Sequence, residues 1–193
     1  MQSILVLWIL IAPISLIGGQ TPRHVPAADC PIKDAAAPAP YKGLEQREIK
    51  ALSDDDHRQL LAGHGMGLAL AAELNRFPGP KHVLELAGEL DLSDEQIGVA
   101  QAIFDEMASR AQGLGRVVIE KEAELDAGFA AGTIDQDSLA RSVLELGRLR
   151  GELRLAHLRA HLQMRAAMSE DQVVTYDRLR GYRGASASPV PDS

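Results

Sequence analysis

The chain has 193 residues, a net charge of −7 and only 4% aromatic residues. This length accommodates one domain with tails, and the acidic balance argues against a general nucleic-acid binder. The abundance of Ala, Leu, Glu and Arg is typical of helices that pack through aliphatic contacts.

The N-terminal residues 1–19 contain an uncharged apolar run over residues 4–17. The run has the length of a signal-peptide core and is short for a spanning helix. No Lys or Arg precedes it, which is atypical of a signal peptide. We predict either a signal peptide or an uncleaved membrane anchor, and both place the rest of the chain outside the cytoplasm. Residues 20–40 are a Pro- and Ala-rich linker, and residues 184–193 are a disordered tail. Cys30 is the single cysteine, which excludes an intramolecular disulfide, and we interpret it as a free thiol.

The predicted folded region, residues 41–183, has helix signals and no segment that alternates as a strand does. Ser53, Ser93, Asp135 and Ser169 each precede a helical pattern as an N-cap. Phe77-Pro78-Gly79-Pro80 predicts a hard turn. In chain order, we predict helices over residues 44–52, from 53 to about 75 with an interruption at 63–67, 81–90, 93–132, 135–167 and 169–181.

Apolar residues recur every three or four positions along the two longest predicted helices, which is typical of a coiled-coil-like seam. The first of these helices is acidic and the second is rich in arginine. We therefore predict an all-α fold, a long antiparallel helical hairpin with shorter packed helices, and complementary charge between its two arms. The seam positions are Ile97, Ala100, Phe104, Met107, Ala111, Leu114, Val118, Leu125 and Phe129 on the first arm, and Leu139, Val143, Leu146, Leu153, Ala160 and Met164 on the second.

One short pattern occurs twice, as Leu92-Ser93-Asp94-Glu95-Gln96 and as Met168-Ser169-Glu170-Asp171-Gln172. Each copy is a capping box, in which serine caps the free backbone N–H groups and Gln reaches back to the cap. Two such boxes around a long hairpin, after an export segment, resemble the Leu-Thr-x-x-Gln motifs of the Spy/CpxP family of bacterial periplasmic stress proteins. Ser stands for Thr in both copies here, and the resemblance covers residues 86–182.

This resemblance implies a periplasmic, dimeric helical cradle that binds unfolded or partner polypeptides without ATP, and without a required cofactor. The metal-related CnrX-like and ZraP-like relatives imply the alternative, a heavy-metal sensor or resistance protein. A third hypothesis is a structural envelope protein, held at the membrane only through its N-terminal segment. These hypotheses differ in whether the chain binds a client, a metal or neither.

Two histidines, His157 and His161, lie four residues apart and so on one face of a predicted helix, with Met164 close by. Imidazoles, with a thioether as a weak further ligand, suit a divalent transition metal such as Zn, Ni, Co or Cu. CnrX-like relatives imply a His and a Met one turn apart, with further histidines and a Glu. The alternative is a hydrogen-bonded histidine pair at a helix contact. The candidate completing ligands on earlier helices are His64, His57 and Glu73.

Other patterns do not point to catalysis. Gly63-His64-Gly65-Met66-Gly67 lacks the Gly-Lys-Ser/Thr ending of a phosphate loop and follows no strand, so we interpret it as close helix packing or a kink. No Ser/His/Asp or Cys/His arrangement is supported, and no carboxylate pair is placed in a recognisable cleft. We therefore expect a protein that is not an enzyme.

Overall fold

The fold, in a computed structural model, is described for residues 39–182 and is entirely helical there, without strands. The predicted segment 1–19, all but the end of the linker 20–40, and the tail 184–193 lie outside the described residues and stay predictions. No helix between residues 39 and 182 is long and apolar enough to cross a membrane. The helices are α1 Asp54–Ala62, α2 Leu70–Glu73, α3 Pro80–Glu85, α4 Asp94–Ala130, α5 Gln136–Ala167 and α6 Glu170–Leu179.

The two longest helices, α4 and α5, pack against each other as the predicted hairpin. Ser93 and Asp135 cap them, each with a complete capping box. Gly132 ends the turn region after α4 with a left-handed φ of 65°, a conformation that glycine adopts without the cost of a Cβ. The predicted fold class and the limits of the hairpin are therefore confirmed.

Two predicted helices are wrong in extent. In the segment 44–52, only Leu44–Gln46 forms a short 3-10 helix. The rest follows the surface of the hairpin so that Ile49 and Leu52 are buried in its core, and this burial outweighs local helix preference. Helix α3 ends at Glu85, because the following turns bring Leu90 into a second core cluster.

The apolar core consists of two clusters. In the first, α1 packs on the middle of the hairpin. In the second, α3 and α6 pack against the start of α4 and the end of α5. Phe129 and Val143, predicted at the seam, are exposed near the loop end. The members of the first cluster are Ile49, Leu52, Leu60, Ala111, Val118, Leu146, Leu149 and Leu153, and those of the second are Val83, Leu90, Ala100, Met164, Met168, Val173 and Tyr176.

Gly115 allows α1 to approach α4 closely. A Cβ at this position would lie 2.1 Å from the backbone oxygen of Leu60, which no side chain tolerates. Gly63 ends α1 in a left-handed conformation beside α4, where a Cβ would lie 3.1 Å from the backbone oxygen of Ala108. The glycines of the 63–67 segment thus serve close packing and a sharp change of direction, as predicted.

The two repeated boxes interact directly, which the sequence did not reveal. The side-chain amide of Gln96 donates to Gln172 Oε1 at 2.9 Å, and Gln172 donates back to Gln96 Oε1 at 3.0 Å. Each amide also accepts from its own serine N–H, and Gln96 donates further to the carbonyl of Ala167 at the end of α5. The two helix starts are therefore joined to each other and to the end of the hairpin.

The predicted charge complementarity of the hairpin is realised in one direct ion pair across it among residues 39–182. The Arg150 guanidinium of α5 donates to the buried carboxylate of Glu122 on α4 at 2.6 Å. Arg148 instead pairs within its own helix, with Glu145 and Glu152, and Lys121 pairs with Glu124 in the same way. Exposed pairs of that kind contribute little to stability, so apolar packing holds the hairpin.

Candidate metal site

The two histidines of α5 lie between the two core clusters and form one wall of an open cleft of about 600 Å³. His157 is 4% exposed and His161 is 8% exposed. The opposite walls come from the 63–67 loop, from Glu73 on α2, from residues 79–82 at the start of α3, and from α4. The spacing of one helical turn puts both rings on the same face of α5.

His161 is held by the turn before α3. Its Nδ1 lies 2.7 Å from the carbonyl oxygen of Phe77. A carbonyl only accepts, so Nδ1 carries the hydrogen, and in the neutral ring the lone pair is on Nε2. A Cβ at Gly79 would lie 3.1 Å from that Nε2, so the absence of a side chain at this position leaves the nitrogen room. A ring oriented through its other nitrogen in this way is the usual arrangement of a metal-binding histidine.

His157 carries an unpaired buried nitrogen. Its Nε2 is the one buried side-chain polar atom without a hydrogen-bond partner among residues 39–182. Burial, and then the nearby charge of His161, lower the pKa of His157 below its ordinary value. The ring is therefore neutral near pH 7, and a buried ring nitrogen without a partner calls for an explanation such as an ion.

The buried carboxylate of Glu73 lies beside His161 and accepts three hydrogen bonds. Its Oε1 accepts hydrogen bonds from the hydroxyls of Tyr176 and Tyr182, and its Oε2 accepts from the backbone N–H of Gly79 at 3.0 Å. Burial, and then the hydrogen bond to the Glu73 carboxylate, raise the pKa of Tyr176 far above the ordinary range, so this hydroxyl keeps its proton.

The structure brings together some of the predicted ligands and separates others. His64, on the 63–67 loop, lines the same cleft as the histidine pair. Met164 does not, because this side chain, nearly one turn further along α5, is fully buried in the second apolar cluster. His57 lines a different cavity, beside Glu48 and Arg58. Within residues 39–182, no three His, Cys, Asp or Glu side chains are grouped closely enough to hold an ion together.

Sequence reasoning missed the roles of the Phe77 carbonyl and of Gly79. The Phe77-Pro78-Gly79-Pro80 pattern correctly predicted a turn, but nothing in it indicates which side chain the turn contacts. Those contacts join residues 84 positions apart in the chain, as in the bond between His161 and Phe77. The turn motif was the one available signal.

Comparison with known proteins identifies the family. No curated protein and no solved structure gives a significant match to the chain. The sequence model of a family described as heavy-metal resistance matches residues 60–174, more than half of the chain, including α2 to α5 and the histidine pair. This family comprises the Spy-like, CnrX-like and ZraP-like proteins with paired Leu-Thr-x-x-Gln motifs, and it is one of resistance or binding rather than catalysis. The chain belongs to the heavy-metal resistance family.

Proposed function

We propose that this protein binds a divalent transition metal in the periplasm, through the imidazoles of His157 and His161, as a sensor or resistance component. The observation that carries the proposal is the buried, unpaired Nε2 of His157 one turn from a second ring. The rings suit borderline metals such as Zn, Ni, Co or Cu. An enzymatic role forms no part of the proposal.

The lowered pKa of His157 and the orientation of the His161 ring favour this function. A ligating imidazole must be neutral, and metal binding otherwise has to displace a proton. The lowered pKa of His157 leaves that ring neutral at pH 7, and the Phe77 carbonyl holds His161 with Nε2 as its acceptor. Two protein ligands leave coordination positions open, in contrast to the closed shell of a structural zinc site. His64 at the cleft is the candidate for a third.

Thermal unfolding of the metal-free protein with and without added metal tests the proposal. Binding to the folded state alone at 100 times the dissociation constant stabilises it by about 2.7 kcal/mol, which raises Tm by about 5–10 °C for a chain of this size. Replacement of His157 and His161 by Ala should abolish the rise. His57→Ala is the matched control, since that ring lines another cavity. An unchanged Tm with Zn, Ni, Co and Cu would refute the proposal.

Binding of unfolded polypeptides is a second candidate function, supported by exposed leucines. Leu70 at the start of α2 and Leu74 directly after it are 55% and 53% exposed, and Leu61 of α1 and Met66 are also exposed. The purified protein should then suppress aggregation of a denatured client at a near-stoichiometric ratio. L70S/L74S should weaken this suppression with little loss of Tm, because both residues are already about half exposed. We also propose that the protein is a homodimer, as the family resemblance implies, and sedimentation of the same sample measures its oligomeric state.

A further inference from the structure

We propose that Glu73 is a positioning residue for His161 and not a metal ligand. This inference rests on the proposed metal-binding function. It assigns to a buried acid beside the histidine pair the task of holding the turn that orients one ring.

Both oxygens of the Glu73 carboxylate are already occupied. Two tyrosine hydroxyls donate to Oε1, and the Gly79 N–H donates to Oε2. The side chain is only 9% exposed, so water does not replace these donors readily. A metal at Oε1 would have to displace a buried tyrosine O–H, and a metal at Oε2 would compete with the Gly79 N–H, so either donor would lose its partner. The carboxylate is therefore committed to the protein.

The turn over residues 77–80 depends on that carboxylate. Pro78 and Pro80 have no backbone N–H, so Gly79 supplies the one backbone donor of the Pro-Gly-Pro stretch. Glu73 Oε2 accepts this donor at 3.0 Å, which fastens the turn to α2. The same turn presents the Phe77 carbonyl to His161.

Glu73 acts on His161 through the turn rather than directly. The distance from Glu73 Oε2 to His161 Nδ1 is 3.7 Å, beyond a hydrogen bond, whereas Phe77 O lies 2.7 Å from Nδ1. The carbonyl holds the hydrogen on Nδ1 and leaves Nε2 as the acceptor beside Gly79. Partners behind a ligating histidine commonly change metal affinity by about 10–100-fold when they are removed.

Comparison of Glu73→Gln with Glu73→Leu separates positioning from ligation. Gln keeps an oxygen to accept from Gly79, and its NH2 group can donate to the Tyr176 oxygen, so the turn survives without the negative charge. We expect Glu73→Gln to bind Zn within about threefold of the unchanged protein, and Glu73→Leu to bind about 10–100-fold more weakly. Dissociation constants come from competition with a chromophoric chelator. Glu122→Gln, a buried acid of α4 outside the cleft, is the matched control.

The ¹⁵N shifts of the His161 ring in metal-free protein provide a readout that is independent of metal. The unchanged protein and Glu73→Gln should show the hydrogen on Nδ1, and Glu73→Leu should show a mixture of both tautomers. If Leu does not fold, Gly79→Ala replaces it: its Cβ would lie 3.1 Å from Nε2 and should lower Zn affinity while Glu73 is intact.

The inference is overturned if Glu73→Gln loses Zn affinity as fully as Leu or the Gly79 variant does, since the carboxylate would then be a ligand. It is also overturned if Glu73→Leu folds with an unchanged tautomer. If the unchanged protein binds no metal, the proposed function fails, whereas the tautomer comparison still decides whether Glu73 positions the ring.

Discussion

Removal of the paired glutamines tests whether the two repeated boxes act as one unit. Gln96→Ala deletes an amide that makes four hydrogen bonds: it accepts from Ser93 and Gln172 and donates to Ala167 and Gln172. Because a net hydrogen bond contributes about 0.5–1.5 kcal/mol, and the site is only partly buried, we expect a loss of about 3 kcal/mol. Gln172→Ala should cost a similar amount, since its amide has the corresponding partners.

The double variant gives the sharper result. The two bonds between the amides are lost in either single variant and only once in the double, so Gln96→Ala/Gln172→Ala should lose about 4.5 kcal/mol rather than about 6. Urea unfolding followed by circular dichroism measures all three values. Gln101→Ala, an exposed amide on the same helix with one bond to Asp105, should cost about 0.5 kcal/mol. Additive losses within about 0.5 kcal/mol would refute the reciprocal pairing.

Two further outcomes are expected from packing and from proton linkage. Gly115→Ala should lower the free energy of unfolding by about 3 kcal/mol, measured by urea unfolding, because its Cβ meets the Leu60 backbone. Gly113→Ala, with open space around it, should raise the free energy of unfolding by about 0.5–1 kcal/mol. Equal effects of the two substitutions would contradict the close approach of α1 to α4. The pKa of His157 in the folded state lies below its unfolded value near 6.5, so protonation of this ring favours unfolding. The contribution of His157 to stability is therefore complete above pH 6.5 and decreases as the pH falls below it, by at most about 1.4 kcal/mol per pH unit. His157→Gln should flatten the Tm of metal-free protein over pH 5–7, and an unchanged slope would assign the effect to other groups.

The helix starts were predictable because their chemistry is local. Ser93, Asp135 and Ser169 each cap a helix through atoms three residues away, so the pattern contains all of the interacting groups. The position of His157 and His161 on one face of α5 follows in the same way from helical periodicity. The segment 44–52 and the end of α3 were predicted wrongly, because burial of Ile49 and Leu90 in distant clusters set the backbone there.

By itself, the sequence determined the all-helical hairpin, its caps and the histidine pair, since each depends on neighbours within about one or two turns. Only the tertiary structure decided what those groups touch. In the folded chain, Gln96 is hydrogen-bonded to Gln172, and Met164 is buried in an apolar cluster away from the cleft. Glu73 accepts hydrogen bonds from two tyrosines more than 100 positions away. Such contacts depend on how helices pack, and a hydrogen bond between distant residues leaves no periodicity in the chain from which it can be read.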